Sequence, residues 1–207
     1  MVNRFTFLGL VTALSVFGLG VLAFGLADSS SDAATIRAEA TTPAVPPATE
    51  PTATPLQRAA QAAGCELVDP PNEGAEHVAE PTSSADYGSN PPTSGIHGPM
   101  PAPAGVYDRK HTPSLESTVH SLEHGRINVQ YAEGTPDATV EQLAKFVEGA
   151  EDGYHLLLFE NQTDMPYAVA ATAWDHLIGC ETFTPETIQA LGIFWQTYVD
   201  QGPEFEP

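Results

Sequence analysis

The sequence has few basic residues. Its 207 residues include 7 Lys and Arg against 27 Asp and Glu, which gives a formal net charge of -20 at pH 7. Nucleic acids and anionic lipid surfaces are bound through basic patches, so this imbalance argues against both as partners. The G-x-S-x-G nucleophile elbow, the phosphate-binding loop and the dinucleotide fingerprint are also absent, and with them the enzyme classes that they mark.

Cysteine is equally scarce. The two cysteines are Cys65 and Cys180, and neither belongs to a C-x-x-C pair. In an oxidising compartment such a pair usually forms a structural bridge, so we expect a Cys65–Cys180 disulfide. A redox-active or metal-binding cysteine pair is the alternative.

One long segment has no charge at all. The 23 residues of segment 5–27 are uncharged, and at about 1.5 Å per residue they span roughly 34 Å, enough for a bilayer core. Arg4 precedes the segment and Asp28 follows it, so the positive-inside rule leaves the amino terminus in the cytoplasm. We therefore predict that residues 1–27 form a single-pass membrane anchor. The alternative is a cleaved signal peptide that leaves the protein secreted, and both place the rest of the chain outside the cytoplasm.

Composition divides the exported part in two. Residues 28–63 are rich in Ala, Thr, Pro and Ser and have no aromatic residue, which predicts a disordered stalk. Its last part, PLQRAAQAA at 55–63, is compatible with a short helix leading into a domain. Residues 64–207 are predicted to form one globular domain.

Hydrophobic periodicity predicts an α+β fold for this domain. Its first part, to about residue 105, is rich in turn residues and predicts a loop-rich amino-terminal half. The later pattern predicts a small, mostly antiparallel sheet with helices on one face. The predicted strands are 126–131, 154–159 and 167–174, and the predicted helices are 117–125, 135–150 and 185–199.

The histidines predict a metal site. In HSLEH, at 120–124, His120 and His124 are one helical turn apart and share a face. His97 lies in a turn rich in proline and glycine, PPTSGIHGPMP, which restrains its position. Three imidazoles with an open fourth position suit zinc or copper. The predicted ligands are His97, His120 and His124; Glu123 is a possible ligand or neighbour, Met100 and Met165 are weaker thioether candidates that would favour copper(I), and His77 and His111 are weaker still.

HSLEH also matches H-x-x-E-H, in which two histidines bind zinc and the glutamate activates water. Because Gly125 would end the helix at once, a metal-dependent hydrolase with Glu123 as base is the less favoured hypothesis. The sequence favours binding without catalysis. The main alternative is a non-catalytic envelope interaction module in which the histidines are structural.

The same histidine blocks carry a resemblance. With NPPTSGIH at 90–97 and HSLEHG at 120–125, the chain resembles an uncharacterised bacterial family, known only as a domain of unknown function, of exported or single-span membrane proteins. The resemblance covers nearly all of residues 64–207. It implies one such domain behind an amino-terminal membrane segment and assigns no catalytic residues. The other matching positions include Gly64, Cys65, His77, Trp174, Cys180, Pro203 and Glu204.

Overall fold

The structure is a computed structural model that describes residues 52–204. The predicted anchor, and the predicted stalk as far as residue 51, lie outside the described residues. Within 52–204, no helix has both the length and the apolar composition needed to cross a membrane. In chain order the elements are α1 (Pro55–Ala63), β1 (Cys65–Val68), β2 (Gly105–Val106), α2 (Leu115–Glu123), β3 (Ile127–Tyr131), α3 (Asp137–Gly149), β4 (Leu156–Glu160), β5 (Val169–Ala173), β6 (His176–Cys180) and α4 (Pro185–Tyr198).

The strands form one six-stranded sheet in the order β1-β6-β5-β3-β4-β2. Strand β4 is parallel to both β3 and β2, and the remaining three pairs are antiparallel. Helix α3 connects β3 to β4 and returns the chain to the end of the sheet at which β3 began. The two strands therefore run in the same direction. The predicted α+β class is confirmed, but the sheet is mixed because of this crossover.

Apolar and polar residues alternate along β3, so they lie on opposite faces of the sheet. Ile127, Val129 and Tyr131 join the main hydrophobic core, to which α1, α3 and α4 contribute. Asn128 lies between them in the strand, is buried on the opposite face, and donates from Nδ2 to the Thr118 carbonyl of α2 at 2.8 Å. Helix α2 therefore covers the other face. The prediction of helices on one face only was wrong for α2, because the polar Asn128 of β3 is buried against this helix instead of being exposed to water.

Helix α1 belongs to the folded region. The Thr54 side chain accepts from the Gln57 backbone N–H while the Gln57 side chain accepts from the Thr54 N–H, a reciprocal cap. The apolar side of the helix packs into the main core against α4. The fold thus begins earlier than the predicted boundary at Gly64, because the alanine-rich segment buries one face. The buried residues of α1 are Leu56, Ala59, Ala60 and Ala63.

The predicted disulfide is confirmed. Cys65 and Cys180 are register partners in the β1–β6 pair and are joined by a disulfide across a sequence separation of 115 residues. Cys180 is fully buried at the edge of the main core. The bridge fixes β1 to the sheet, and the loop-rich segment that carries His77 and His97 starts from that strand.

Candidate metal centre

Two loop segments bring the first two histidines together. His97 donates its backbone N–H to the Glu76 carbonyl at 3.0 Å, and Val78 donates to the His97 carbonyl at 2.7 Å. These bonds form an isolated parallel bridge between His77 and His97. Their rings consequently lie 4.7 Å apart, centroid to centroid.

Helix α2 adds the third imidazole. Ser114 caps the helix, since its side chain accepts from the Ser117 N–H. The turn after His97 is bound to the helix, because Ala102 donates to the Ser117 carbonyl at 3.0 Å. This contact orients His120 towards the turn, with its ring 4.8 Å from that of His97 and 4.9 Å from that of His77.

Glu123, the last residue of α2, supplies a carboxylate to these rings. Its Oε2 lies 2.9 Å from His97 Nε2, 3.8 Å from His120 Nε2 and 3.9 Å from His77 Nε2. One ligand atom from each of the four residues lies within 4.8 Å of the others, a spacing that fits a single metal ion. We call this set, His77, His97, His120 and Glu123, the first group.

Burial differs within the first group. The side chains of His97, Glu123 and His120 are 0, 3 and 5 % exposed, whereas that of His77 is 46 % exposed. The Trp174 ring meets the His97 ring edge-on at 6.2 Å. Three ligand positions are therefore withdrawn from water, and the fourth faces solvent.

Hydrogen bonds determine which ring nitrogens can bind a metal. His97 Nδ1 is 2.9 Å from the Gly95 carbonyl and His120 Nδ1 is 2.6 Å from the Gly98 carbonyl. A carbonyl only accepts, so both Nδ1 atoms carry the hydrogen and, in the neutral rings, both Nε2 atoms present a lone pair. This is how metal-binding histidines are commonly oriented in proteins.

The facing atoms are otherwise unsatisfied. His97 Nε2 and Glu123 Oε2 are buried without a hydrogen-bond partner, although only 2.9 Å separates them. With a neutral His97 ring, two lone pairs face each other at this distance and repel, and burial of unsatisfied polar atoms costs stability. A cation between them would remove both penalties. The described residues bring no lysine or arginine to this carboxylate.

The site also favours neutral imidazole. Burial, followed by the neighbouring His97 and His124 rings, lowers the pKa of His120 and outweighs the opposing effects of the Gly98 carbonyl and Glu123. A lowered pKa leaves His120 unprotonated at neutral pH. That is the form in which histidine binds metals.

His124 adjoins the first group without belonging to it. Its Nε2 is 2.9 Å from His120 Nε2 and 3.5 Å from Glu204 Oε2. Glu123, His124 and Glu204 form a second group of potential ligands within 4.8 Å of one another. Of the predicted residues, the structure thus gathers His97, His120 and Glu123 in one group and puts His124 beside it.

Of the weaker ligand candidates, only some lie near the first group. His77, a weak candidate from the sequence, is part of the first group, and Glu204, which the sequence did not predict as a ligand, is part of the second. Met100 is 72 % exposed, so its placement does not support a buried thioether ligand. Met165 is buried beside a pocket lined by residues of the 132–133 and 161–165 turns. The remaining histidines each contact a carboxylate elsewhere: His111 with Asp108, His155 with Asp200 and His176 with Asp69.

The carboxyl-terminal segment passes directly beneath the end of α2. Asp200 donates its backbone N–H to the Gly125 carbonyl at 2.9 Å, and Glu204 donates to the Glu123 carbonyl at 3.1 Å. A Cβ at Gly202 would lie well inside van der Waals contact with the Glu123 carbonyl and the Gly125 nitrogen. The close approach that places Glu204 beside His124 therefore requires glycine at 202.

We expect Gly202→Ala to lower the free energy of unfolding by about 1–3 kcal/mol, because the added methyl must push two backbone segments apart. Gly149→Ala, at the end of α3, is the matched control, since nothing lies within 4 Å of its Cβ position. Urea denaturation of both variants measures the difference. Equal stability of the two variants would contradict the close approach.

The comparisons with known proteins give a family. Residues 77–206, more than half of the chain, match a family model described as a protein of unknown function (DUF3105). The chain belongs to the DUF3105 family. The DUF3105 match includes every residue of both ligand groups, from His77 to Glu204, but it does not reach Cys65. No curated protein and no solved structure matches the chain in these comparisons, so the DUF3105 site has to be interpreted from its own geometry.

Proposed function

We propose that the domain binds a divalent transition metal ion through Nε2 of His77, His97 and His120 and a carboxylate oxygen of Glu123. The observation that carries the proposal is the buried contact of His97 Nε2 with Glu123 Oε2 at 2.9 Å, without a hydrogen bond. Hydrogen-bonded Nδ1 atoms support it, because they leave two Nε2 lone pairs directed at the same carboxylate.

Zinc is the ion that we propose first and copper(II) second. Three imidazoles and one carboxylate are ligands that zinc accepts in a four-coordinate site. Copper(II) also takes nitrogen and oxygen ligands and binds more tightly than zinc to most such sets. Copper(I) prefers sulfur, and the high exposure of Met100 lends it no support.

Binding without an assigned reaction is the role that the geometry supports best. A general base must remain free to take a proton from water, whereas Glu123 Oε2 is directed at three imidazole nitrogens. Helix α2 also ends at Glu123. Both features favour Glu123 as a ligand over Glu123 as the base of a hydrolase.

We further propose that the domain lies outside the cytoplasm, tethered to the membrane by residues 1–27. The uncharged segment 5–27 supports the tether. The Cys65–Cys180 disulfide supports an oxidising compartment, since such bridges are rare in the cytosol. Fractionation of cells and protease treatment of intact cells would test this: a cytosolic protein, or one released in mature form, contradicts the tether.

Metal content tests the binding proposal. The full-length chain, purified without an affinity tag that binds metal, is expected to hold zinc or copper in at least equimolar amount. His97→Ala should lower that content by about one equivalent, whereas His111→Ala, which alters an exposed histidine paired with Asp108, should not lower it. A parent protein that holds no metal and takes up none on titration would overturn the proposal and favour the interaction module.

A further inference from the structure

The second group shares a residue with the first. Glu123 belongs to both, so ligand atoms of five other residues lie within 4.8 Å of a ligand atom of one carboxylate. His120 Nε2 and His124 Nε2, one from each group, are only 2.9 Å apart. The two groups are thus neighbouring halves of one polar cluster.

The side chains of the second group, like those of the first, are mostly buried and positioned by backbone contacts. The Glu123 and His124 side chains are 3 and 6 % exposed, and Glu123 Oε2 has no hydrogen-bond partner. Glu204 is held beside them by its own backbone bond to the Glu123 carbonyl and by the close approach at Gly202. Its side chain is 54 % exposed, and that of His77, the exposed member of the first group, is 46 % exposed. Each half therefore consists of buried ligands and one ligand in contact with solvent.

The positions of the imidazole hydrogens allow both groups to bind a metal ion at the same time. Because His120 Nε2 carries the lone pair, the hydrogen between the two rings is on His124 Nε2. An ion bound to His120 uses that lone pair and ends this hydrogen bond. His124 can then bind through Nε2 in its other neutral tautomer, with the hydrogen on Nδ1, and no net proton is gained or lost.

We propose that the site holds two divalent metal ions bridged by the Glu123 carboxylate, with the second ion bound by His124 and Glu204. The proposal rests on the proposed function, which supplies the first ion. Carboxylate-rich pairs of ions commonly stand about 3.5–4 Å apart, a separation compatible with ligand nitrogens 2.9 Å apart on the two sides. Two carboxylates offset part of the charge of the two ions, and the net charge of -20 attracts further cations.

Stoichiometry tests the pair. Calorimetric titration of the metal-free full-length chain with zinc is expected to give two equivalents, and Glu204→Gln one, with the affinity of the tighter site changed by less than about threefold. Glu148→Gln, an exposed change on α3, should retain two. In the copper(II)-loaded parent, spin coupling between two ions should be visible by electron paramagnetic resonance and absent from Glu204→Gln.

The outcomes separate the two proposals. One equivalent in the parent, or two in Glu204→Gln, overturns the second ion and leaves the first intact. No bound zinc in the parent overturns the proposed function itself. Because Glu204 is half-exposed, unchanged thermal unfolding of the metal-free variant would show that its lost equivalent does not come from misfolding.

Discussion

Glu123→Gln is expected to weaken zinc binding by more than about 100-fold while leaving the metal-free protein at least as stable as the parent. Loss of a hydrogen-bonding neighbour of a metal ligand already costs about 10–100-fold, and Glu123 is placed as a ligand itself. In the metal-free state, however, the carboxylate has a buried oxygen without a hydrogen bond. Removing its charge therefore relieves a penalty instead of breaking a stabilising contact.

Thermal unfolding with and without zinc measures both effects. A metal at 100 times its Kd stabilises the folded state by about 2.7 kcal/mol, so the parent should unfold at clearly higher temperature when zinc is added. Glu123→Gln should lose this increase, and Glu141→Gln, an exposed change on α3, should keep it. If Glu123→Gln lowered the unfolding temperature equally with and without zinc, the role of Glu123 would be structural. That result would contradict the proposal that Glu123 is a metal ligand.

Removing the disulfide has the second large effect. The double variant Cys65→Ala, Cys180→Ala is expected to lose about 2–5 kcal/mol of stability, because the bridge closes a long loop that the unfolded chain must otherwise explore. At about 2–4 °C per kcal/mol for a domain of this size, the unfolding temperature should fall by roughly 10 °C. Alanine suits both sites, since Cys180 is fully buried and a serine hydroxyl would be stranded there.

A reducing agent provides the control for the disulfide. It should lower the unfolding temperature of the parent towards that of the double variant and leave the double variant unchanged. Two thiols that react with an alkylating agent in the native protein would contradict the bridge. Zinc affinity should also be lower in the double variant than in the parent. This would show that release of β1 from the sheet edge loosens the loop-rich segment that carries His77 and His97.

Much of the site was predictable because it depends on local spacing. His120 and Glu123 lie on one helix, and Gly125 marks its end in the sequence. The helix begins two residues before the predicted start at 117, because Ser114 caps it. His97 was predictable from the rigid turn that surrounds it. These are short-range features, in which a residue and the structure that orients it are close in the chain.

His77 and Glu204 could not be found in the same way. His77 reaches the site through a backbone bridge between two loops, and no periodic pattern marks such a bridge. Glu204 reaches it because Gly202 and Gly125 let distant backbone segments touch. The one available signal was the resemblance, since both residues belong to its matching positions.

The fold shows the same division. The periodic segments that became α3, α4, β3, β4 and β5 were predicted, and the structure contains them. Strands β1 and β2 have only four and two residues, too few for a periodic signal, and they join the sheet by long-range pairing. The position of α2 on the second face depends on the buried amide of Asn128, which as a polar residue between apolar neighbours suggests solvent exposure.

X-ray absorption at the zinc K-edge of the full-length chain, loaded with one equivalent of zinc, tests the central claim most directly. We expect three imidazole nitrogens at about 2.0–2.1 Å from the zinc and one carboxylate oxygen at a similar distance. His97→Ala protein can be loaded at a high zinc concentration to compensate for its weaker binding. In that sample the scattering from imidazole rings should be one third lower than in the parent. Zinc coordinated by water and carboxylates, with no scattering from imidazole rings, would contradict the account.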